Sequence, residues 1–115
     1  MKYLLLIYGN EVEQAKRSAE QMGAMLKEYG VFTESIQQSG HFLGGERLQR
    51  TSAATTVRIR DGKTITTDGP FAETKEQLGG YYMIEAKDID DAIAIATRIP
   101  SARFGSVEVR PIWAM

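Results

Sequence analysis

Both faces of the first predicted strand are apolar, and this limits how the chain can fold more than any other feature. The strand runs from Lys2 to Tyr8. Successive side chains of a strand point to opposite faces. One face carries Tyr3, Leu5 and Ile7, and the other carries Leu4, Leu6 and Tyr8. The strand predicted from Gly79 to Ala86 is similar. Strands of this kind need an apolar partner on each side of their sheet.

The remaining elements follow from periodicity and turn residues. Asn10 caps one continuous helix from Glu11 to Gln38, and Gly40 is at its C-terminal cap position. The sequence Asp61-Gly62 predicts a two-residue type I′ hairpin turn. The predicted hairpin strands are Thr55–Arg60 and Lys63–Thr67, with Ile65 facing inward; a short extended segment, His41–Gly45, precedes them, and a loop, Asp68–Gln77, follows them. A second helix is capped by Asp88 and stopped by Pro100, and its apolar face consists of Ile89, Ala92, Ile93, Ala96 and Ile99. The last predicted strand is Ser106–Trp113.

This order predicts a single α+β domain over residues 1–115, with a ferredoxin-like antiparallel sheet. Two helices can cover only one face of such a sheet. A second copy of the same sheet is the simplest cover for the other face, so we expect a homodimer through the sheet face.

Composition excludes several kinds of site. The net charge of -1 gives no overall attraction for nucleic acid or an anionic membrane. The absence of cysteine and the single histidine exclude thiolate and multi-histidine metal sites within one chain. Glu73 and Glu76 could together bind a hard cation, but carboxylates at this spacing more often form a solvated face, so no metal site is expected. The apolar run at the N-terminus is too short to cross a membrane or to act as a signal peptide, and a cytoplasmic location is expected.

Residues 68–76 read Asp-Gly-Pro-Phe-Ala-Glu-Thr-Lys-Glu, and this segment resembles the signature of the DGPFAETKE group of the YCII-related family. The opening strand, Gly44 to Leu48, Thr55 to Gly62, Gln77 to Tyr82 and Gly105 to Ile112 are also similar to that family. The resemblance implies a dimeric α/β barrel, in which two ferredoxin-like sheets pack face to face. It also implies a regulatory role as one alternative, because genes of this group often lie beside those of alternative sigma factors. A sigma factor is therefore a candidate partner.

Asp68 and His41 are the candidate catalytic residues. Shorter YCII-like relatives are thought to place a histidine and an aspartate in a cleft, and the resemblance maps that aspartate to Asp68. The helix Glu11–Gln38 contains no histidine, so the histidine has no counterpart there. In the alternative interpretation, Asp68 forms a turn with Gly69 and His41 is a partly exposed structural residue.

Three further residues are candidate ligand contacts. Glu73 shares the loop of Asp68, and Tyr8 and Tyr81 would line an aromatic pocket between the sheet and its partner, unless they only pack. Gly79 and Gly80 allow close approach of a ligand or of backbone.

Three functions stay open at this point. The first is a small-molecule enzyme that uses acid/base residues at a dimer-cleft loop. The second is a non-catalytic ligand-binding or regulatory module, and the third is a structural dimerisation module. The sequence identifies neither a cofactor nor a substrate.

Overall fold

A computed structural model describes residues 1–114 of the chain. The strands are β1 (Lys2–Gly9), β2 (Phe42–Arg47), β3 (Thr55–Arg60), β4 (Lys63–Asp68), β5 (Gln77–Glu85) and β6 (Ser106–Pro111). The helices are α1 (Glu11–Ala15), α2 (Ala19–Gln38) and α3 (Ile89–Ala96), and short 3-10 turns span Thr51–Ala53 and Pro100–Arg103. Each α-helix begins at a side-chain cap, since Asn10, Ser18 and Asp88 each accept a hydrogen bond from a backbone N–H in the first turn. The caps at Asn10 and Asp88 were predicted from the sequence.

The main sheet has four strands in the order β2-β5-β1-β6, and every neighbouring pair is antiparallel. This is the ferredoxin-like arrangement predicted from the sequence. β3 and β4 form a separate two-stranded hairpin, which is inserted between β2 and β5 in the chain. The predicted turn is confirmed, because Asp61 and Gly62 both have positive φ, at 51° and 73°. A type I′ turn requires positive φ at both of these positions.

The core lies between one face of the sheet and the helices. Its buried side chains come from β1 (Tyr3, Leu5, Ile7), β5 (Tyr82, Ile84), α2 (Phe32, Ile36) and the α3 region (Ala92, Ile95, Ala96, Ile99). Leu5 and Ile36 are completely inaccessible to solvent. Burying one such side chain stabilises the fold by about 1.5–3 kcal/mol. The side chains that the pattern assigned to one face of β1 are therefore those that meet the helices.

The other face of the sheet carries apolar side chains that stay partly exposed. We call it the open face; its central residues are Leu4, Leu6, Tyr8, Tyr81 and Met83. The protomer is flat, with extents of 48 × 44 × 19 Å and a radius of gyration of 16.1 Å. A compact chain of this length has a radius of gyration of about 13 Å. The flat sheet and the hairpin thus give the chain more surface than a compact monomer has.

Several sequence predictions are wrong in detail. The first helix is not continuous: it breaks between Ala15 and Ala19, because Ser18 and Gln21 form a reciprocal capping box that starts α2 anew. The inward face of α3 includes Ile95, whereas Ile93 is half exposed. Isoleucines lie on adjacent faces of this helix, so spacing alone does not fix its rotation.

Differences also occur outside the core. β6 ends at Pro111, and Trp113 beyond it is 91% exposed. Pro111 lies at the end of an edge strand, as its missing N–H predicted. Ile65, expected to face inward, is exposed, because the hairpin does not join the main sheet.

Candidate functional site

A cavity of about 400 Å³ lies between the N-terminal part of the helical layer and one end of the sheet. We call it the helix–sheet cavity. Its volume is within the range of small-molecule sites. The sheet side of its wall includes Gly45, Arg47, Gly80 and Tyr82, the helix side includes Met22, Met25, Leu26, Tyr29 and Thr33, and its rim includes Glu11, Gln14, Arg17 and Arg50.

Glycines in the sheet leave the space for this cavity. Along β5, the helix-facing positions are Ile84, Tyr82 and Gly80, so the buried side chains end where the cavity begins. In the neighbouring strand, Gly45 pairs with Tyr82. A Cβ atom built on Gly45 would lie 2.9 Å from a ring carbon of Tyr82, so any side chain there would push the ring aside. At Gly45 and Gly80, the two strands therefore present backbone to the cavity.

The helical wall is the N-terminal half of the apolar stripe of α2. Met22, Met25 and Leu26 belong to the same i, i+3, i+4 series as the buried residues Phe32 and Ile36. The C-terminal half of the stripe packs on large sheet side chains, whereas the N-terminal half faces the glycines. Apolar side chains are thus presented to an empty volume, and methionine can adapt its shape to varied ligands.

Two hydroxyl pairs give the cavity wall a polar component. The Tyr82 hydroxyl lies 2.6 Å from Thr33 Oγ1, and the Tyr29 hydroxyl lies 2.5 Å from Ser101 Oγ. Burial raises the pKa of Tyr82, although the hydrogen bond with Thr33 partly opposes this rise. Tyr82 is therefore a neutral hydroxyl at physiological pH. Within each pair, one hydroxyl donates its proton to the other, and the accepting hydroxyl keeps its own proton, which it can donate to a ligand.

The rim of the cavity is held by hydrogen bonds between distant segments. The Glu11 carboxylate accepts the Thr51 backbone N–H at 2.9 Å and the Thr51 hydroxyl at 2.5 Å. The Glu11 N–H donates to Gln77 Oε1 at 3.0 Å, and the Leu48 N–H donates to the Gly79 carbonyl at 2.9 Å. These bonds fix the segment between β2 and the hairpin against α1 and β5, so the rim has a defined shape.

His41 belongs to a different cluster. Its Nε2 lies 3.4 Å from Asp91 Oδ2, and its Nδ1 lies 2.7 Å from Ser39 Oγ. Asp91 also accepts the Lys87 backbone N–H at 3.1 Å, and chiefly this bond, helped by His41, holds the pKa of Asp91 below its ordinary value. A serine, a histidine and an aspartate are thus in contact, but none of them lines the helix–sheet cavity. The cluster joins the end of α2 to the start of α3, and the partner of His41 is Asp91 instead of Asp68.

The other predicted site residues are dispersed. Asp68 is the exposed last residue of β4, pairs with Thr55 across the hairpin and does not line the helix–sheet cavity. Glu73 is exposed in the following loop. Tyr8 lies on the open face. Tyr81 borders the cavity, although strand alternation directs its side chain to the open face. The roles assigned to these residues stay predictions.

The residues that make the cavity were largely missed by the sequence reasoning. Gly79 and Gly80 were identified as allowing close approach of a ligand, and both line the cavity. The Gly44-Gly45 pair could have indicated the cavity equally well, because it lies on the strand that pairs with the one containing Gly79-Gly80. No sequence signal indicated that Arg50 would lie at the rim of the cavity.

Comparison with known proteins identifies the family. The family model for the YCII-related domain matches residues 1–115. The chain belongs to the YCII-related domain family. An uncharacterised protein, R00369, from Rhizobium meliloti (strain 1021) is 37% identical over 114 residues, which cover 97% of this chain and 92% of that protein.

Metal-binding clusters and membrane-spanning helices are both absent from the described part of the chain. Residues 1–114 contain no cluster of three or more histidine, aspartate or glutamate side chains arranged to hold a metal ion. Nor does any helix in this range have the length and apolar character needed to cross a bilayer.

Proposed function

We propose that this YCII-related protein binds a small organic molecule in the helix–sheet cavity. The observation that carries the proposal is the cavity itself, in which an apolar helical wall faces two glycine-containing strands across about 400 Å³. Packed protein interiors have few voids larger than a water molecule. Keeping apolar side chains such as Met25 and Leu26 beside such a volume sacrifices packing contacts, and a ligand would restore them.

The polar groups support binding more directly than catalysis. Tyr82 and Tyr29 supply hydroxyl donors, and the Glu11 carboxylate accepts hydrogen bonds from Thr51. Among the sequence candidates for acid/base chemistry, neither Asp68 nor His41 borders the cavity. The enzyme hypothesis therefore requires a ligand that reaches Asp68 from the cavity, or a second site.

A thermal-shift screen against a metabolite library tests this proposal, because a ligand that binds only the folded state raises the melting temperature. The hits are then tested on Leu26→Trp, which fills the cavity from a half-exposed position of α2. Val31→Trp is the matched control, because Val31 is 67% exposed on the same helix and lies outside the cavity wall. We expect the hits to lose affinity in Leu26→Trp only. Hits that bind both variants equally well would contradict the proposal.

We also propose that the protein is a homodimer through the open face. The apolar character of Leu4, Leu6 and Met83 supports this, as does the large surface of the protomer.

A cytoplasmic location is part of the proposal. It is supported by the position of the N-terminal apolar run, which forms a central strand of the sheet and supplies Tyr3, Leu5 and Ile7 to the core. Association with a sigma factor is a separate proposal that rests on the family resemblance alone.

A further inference from the structure

Arginine side chains are concentrated at the rim of the helix–sheet cavity. Arg17, Arg47 and Arg50 border it, against the two carboxylates of Glu11 and Glu46. The rim thus has one excess positive charge in a chain whose net charge is -1. The positive charge of the rim therefore does not follow from the overall charge of the protein, and a function at the rim would explain it.

Neither carboxylate forms an ion pair with these arginines within 4.0 Å among residues 1–114. Both oxygens of Glu11 accept hydrogen bonds from Thr51. Glu46 precedes Arg47 in β2, and neighbouring side chains of a strand point to opposite faces. Because Arg47 pairs with the buried Gly80, its side chain is on the helix side of the sheet, and that of Glu46 is on the open face.

Two of the arginines are free to bind a ligand. Arg17 lies over the Phe104 ring at 5.1 Å and is partly engaged there. Arg47 and Arg50 form none of the ion pairs found within 4.0 Å among residues 1–114. Their backbones are nevertheless held, because Arg47 ends β2 and Arg50 precedes the anchored Thr51. Guanidinium groups are well suited to carboxylate and phosphate oxygens.

We propose that the cavity ligand is an amphipathic oxyanion. Its carboxylate or phosphate head group is held at the rim by Arg47 and Arg50, and its apolar body lies against Met22, Met25 and Leu26. This inference rests on the proposed binding function and adds the chemical class of the ligand. A neutral apolar ligand would leave the arginines without a role, and a cationic ligand would be repelled by them.

Calorimetric titration of the full chain with four octyl compounds, each below its critical micelle concentration, tests the inference. The compounds are octanoate, octyl phosphate, octanol and octyltrimethylammonium. We expect both anions, or one of them, to bind at least about tenfold more tightly than octanol, since a charge-assisted hydrogen bond is worth at least that factor. The cation should bind most weakly, and the preference for anions should decline as salt increases. The tighter of the two anions identifies the head group.

Variants separate head-group recognition from binding of the apolar body. Arg47→Gln and Arg50→Gln should each weaken anion binding about tenfold and leave octanol binding unchanged. Arg60→Gln is the control, because this exposed arginine lies beside the hairpin turn and outside the cavity wall. All three side chains are exposed, so these substitutions should preserve the fold.

The outcomes distinguish the two proposals. Equal affinities for octanoate, octyl phosphate and octanol, all lost in Leu26→Trp, would overturn the inference and leave the binding function standing. Absence of saturable anion binding, or anion affinity unchanged in the Arg47→Gln, Arg50→Gln double variant, would also overturn the inference. Binding that is insensitive to Leu26→Trp for the library hits and for every octyl compound would instead overturn the binding function.

Discussion

Replacing Leu6 with glutamate tests whether the open face is an interface between two copies of the chain. Leu6 lies on β1, a central strand, between Tyr81 of β5 and Glu108 of β6. Its side chain is partly exposed in the protomer. If a second sheet covers this face, the substitution places a carboxylate in an apolar interface, close to the carboxylate of Glu108.

The surface area of the protomer gives the scale of such an interface. The chain exposes 8210 Å². A compact monomer of 12.8 kDa is expected to expose about 6,300 Å². The excess of about 1,900 Å² per protomer is larger than the roughly 800 Å² per partner that a standard interface buries, so the protomer has surplus surface for one. The flat shape and the extended hairpin both contribute to this excess.

The energetic effect of the substitution is doubled by symmetry, because both copies carry it. Each copy loses the burial of the part of Leu6 that is exposed in the protomer, worth a fraction of the about 1.5–3 kcal/mol of a whole leucine side chain. A buried carboxylate without a partner costs several kcal/mol more. A total of at least about 6 kcal/mol weakens the dimerisation constant by four or more powers of ten. A dimer stable at nanomolar concentration would then be dissociated at micromolar concentration.

Sedimentation equilibrium measures this directly. We expect wild type to be a dimer at micromolar protein concentration and Leu6→Glu to be monomeric or unfolded, with circular dichroism separating these two results. Val12→Glu is the matched control, because Val12 is an exposed apolar residue of α1 and should leave the dimer intact. A wild-type monomer at micromolar concentration would refute the reasoning, whatever the variants do.

Four more predictions concern single residues. Gly62→Val should lower the free energy of unfolding by about 1 kcal/mol or more in chemical denaturation, because Gly62 has a φ of 73°. Gly45→Val should cost about 1–3 kcal/mol and weaken ligand binding, because its side chain displaces the Tyr82 ring. The lowered pKa of Asp91 means that its stabilisation is complete above the ordinary value of 3.8 and is lost as the pH falls through the lower folded value. The melting temperature of Asp91→Asn should therefore lie below that of wild type at neutral pH, and the gap should close in strong acid. Asp68→Asn should change stability by less than about 0.5 kcal/mol, because Asp68 is exposed, and unchanged turnover of an identified substrate would contradict a catalytic role for it.

The sheet was predictable because its signals are local and redundant. The apolar run from Tyr3 to Tyr8, the Asp61-Gly62 turn and the Asp88 cap each depend on residues close together in the chain. The element order then allows few antiparallel arrangements. The break in the first helix was less predictable. A capping box needs only Ser18 and Gln21, and the same residues are also compatible with a continuous helix, so the outcome depends on how α1 and α2 pack.

The candidate site was mostly not predictable, because it is defined by distant contacts. Thr51 reaches Glu11 across forty residues of sequence, and this contact brings Arg50 to the rim of the cavity. The resemblance directed attention to Asp68, but that residue ends a hairpin strand outside the main sheet. A signature segment identifies a family without showing which of its residues meet a ligand.

The apolar surfaces of the open face and of the helix–sheet cavity have different physical origins. On the open face, large side chains such as Leu4 and Met83 lie on a continuous sheet, and only another extended surface can cover them. In the helix–sheet cavity, the sheet lacks side chains at Gly45 and Gly80, so the stripe of α2 meets a void that a small molecule can fill. A flat apolar surface therefore favours a second copy of the chain, and a concave one favours a ligand. Because the cavity lies on the helix side of the sheet, dimerisation through the open face would leave it accessible, and each protomer could bind its ligand independently.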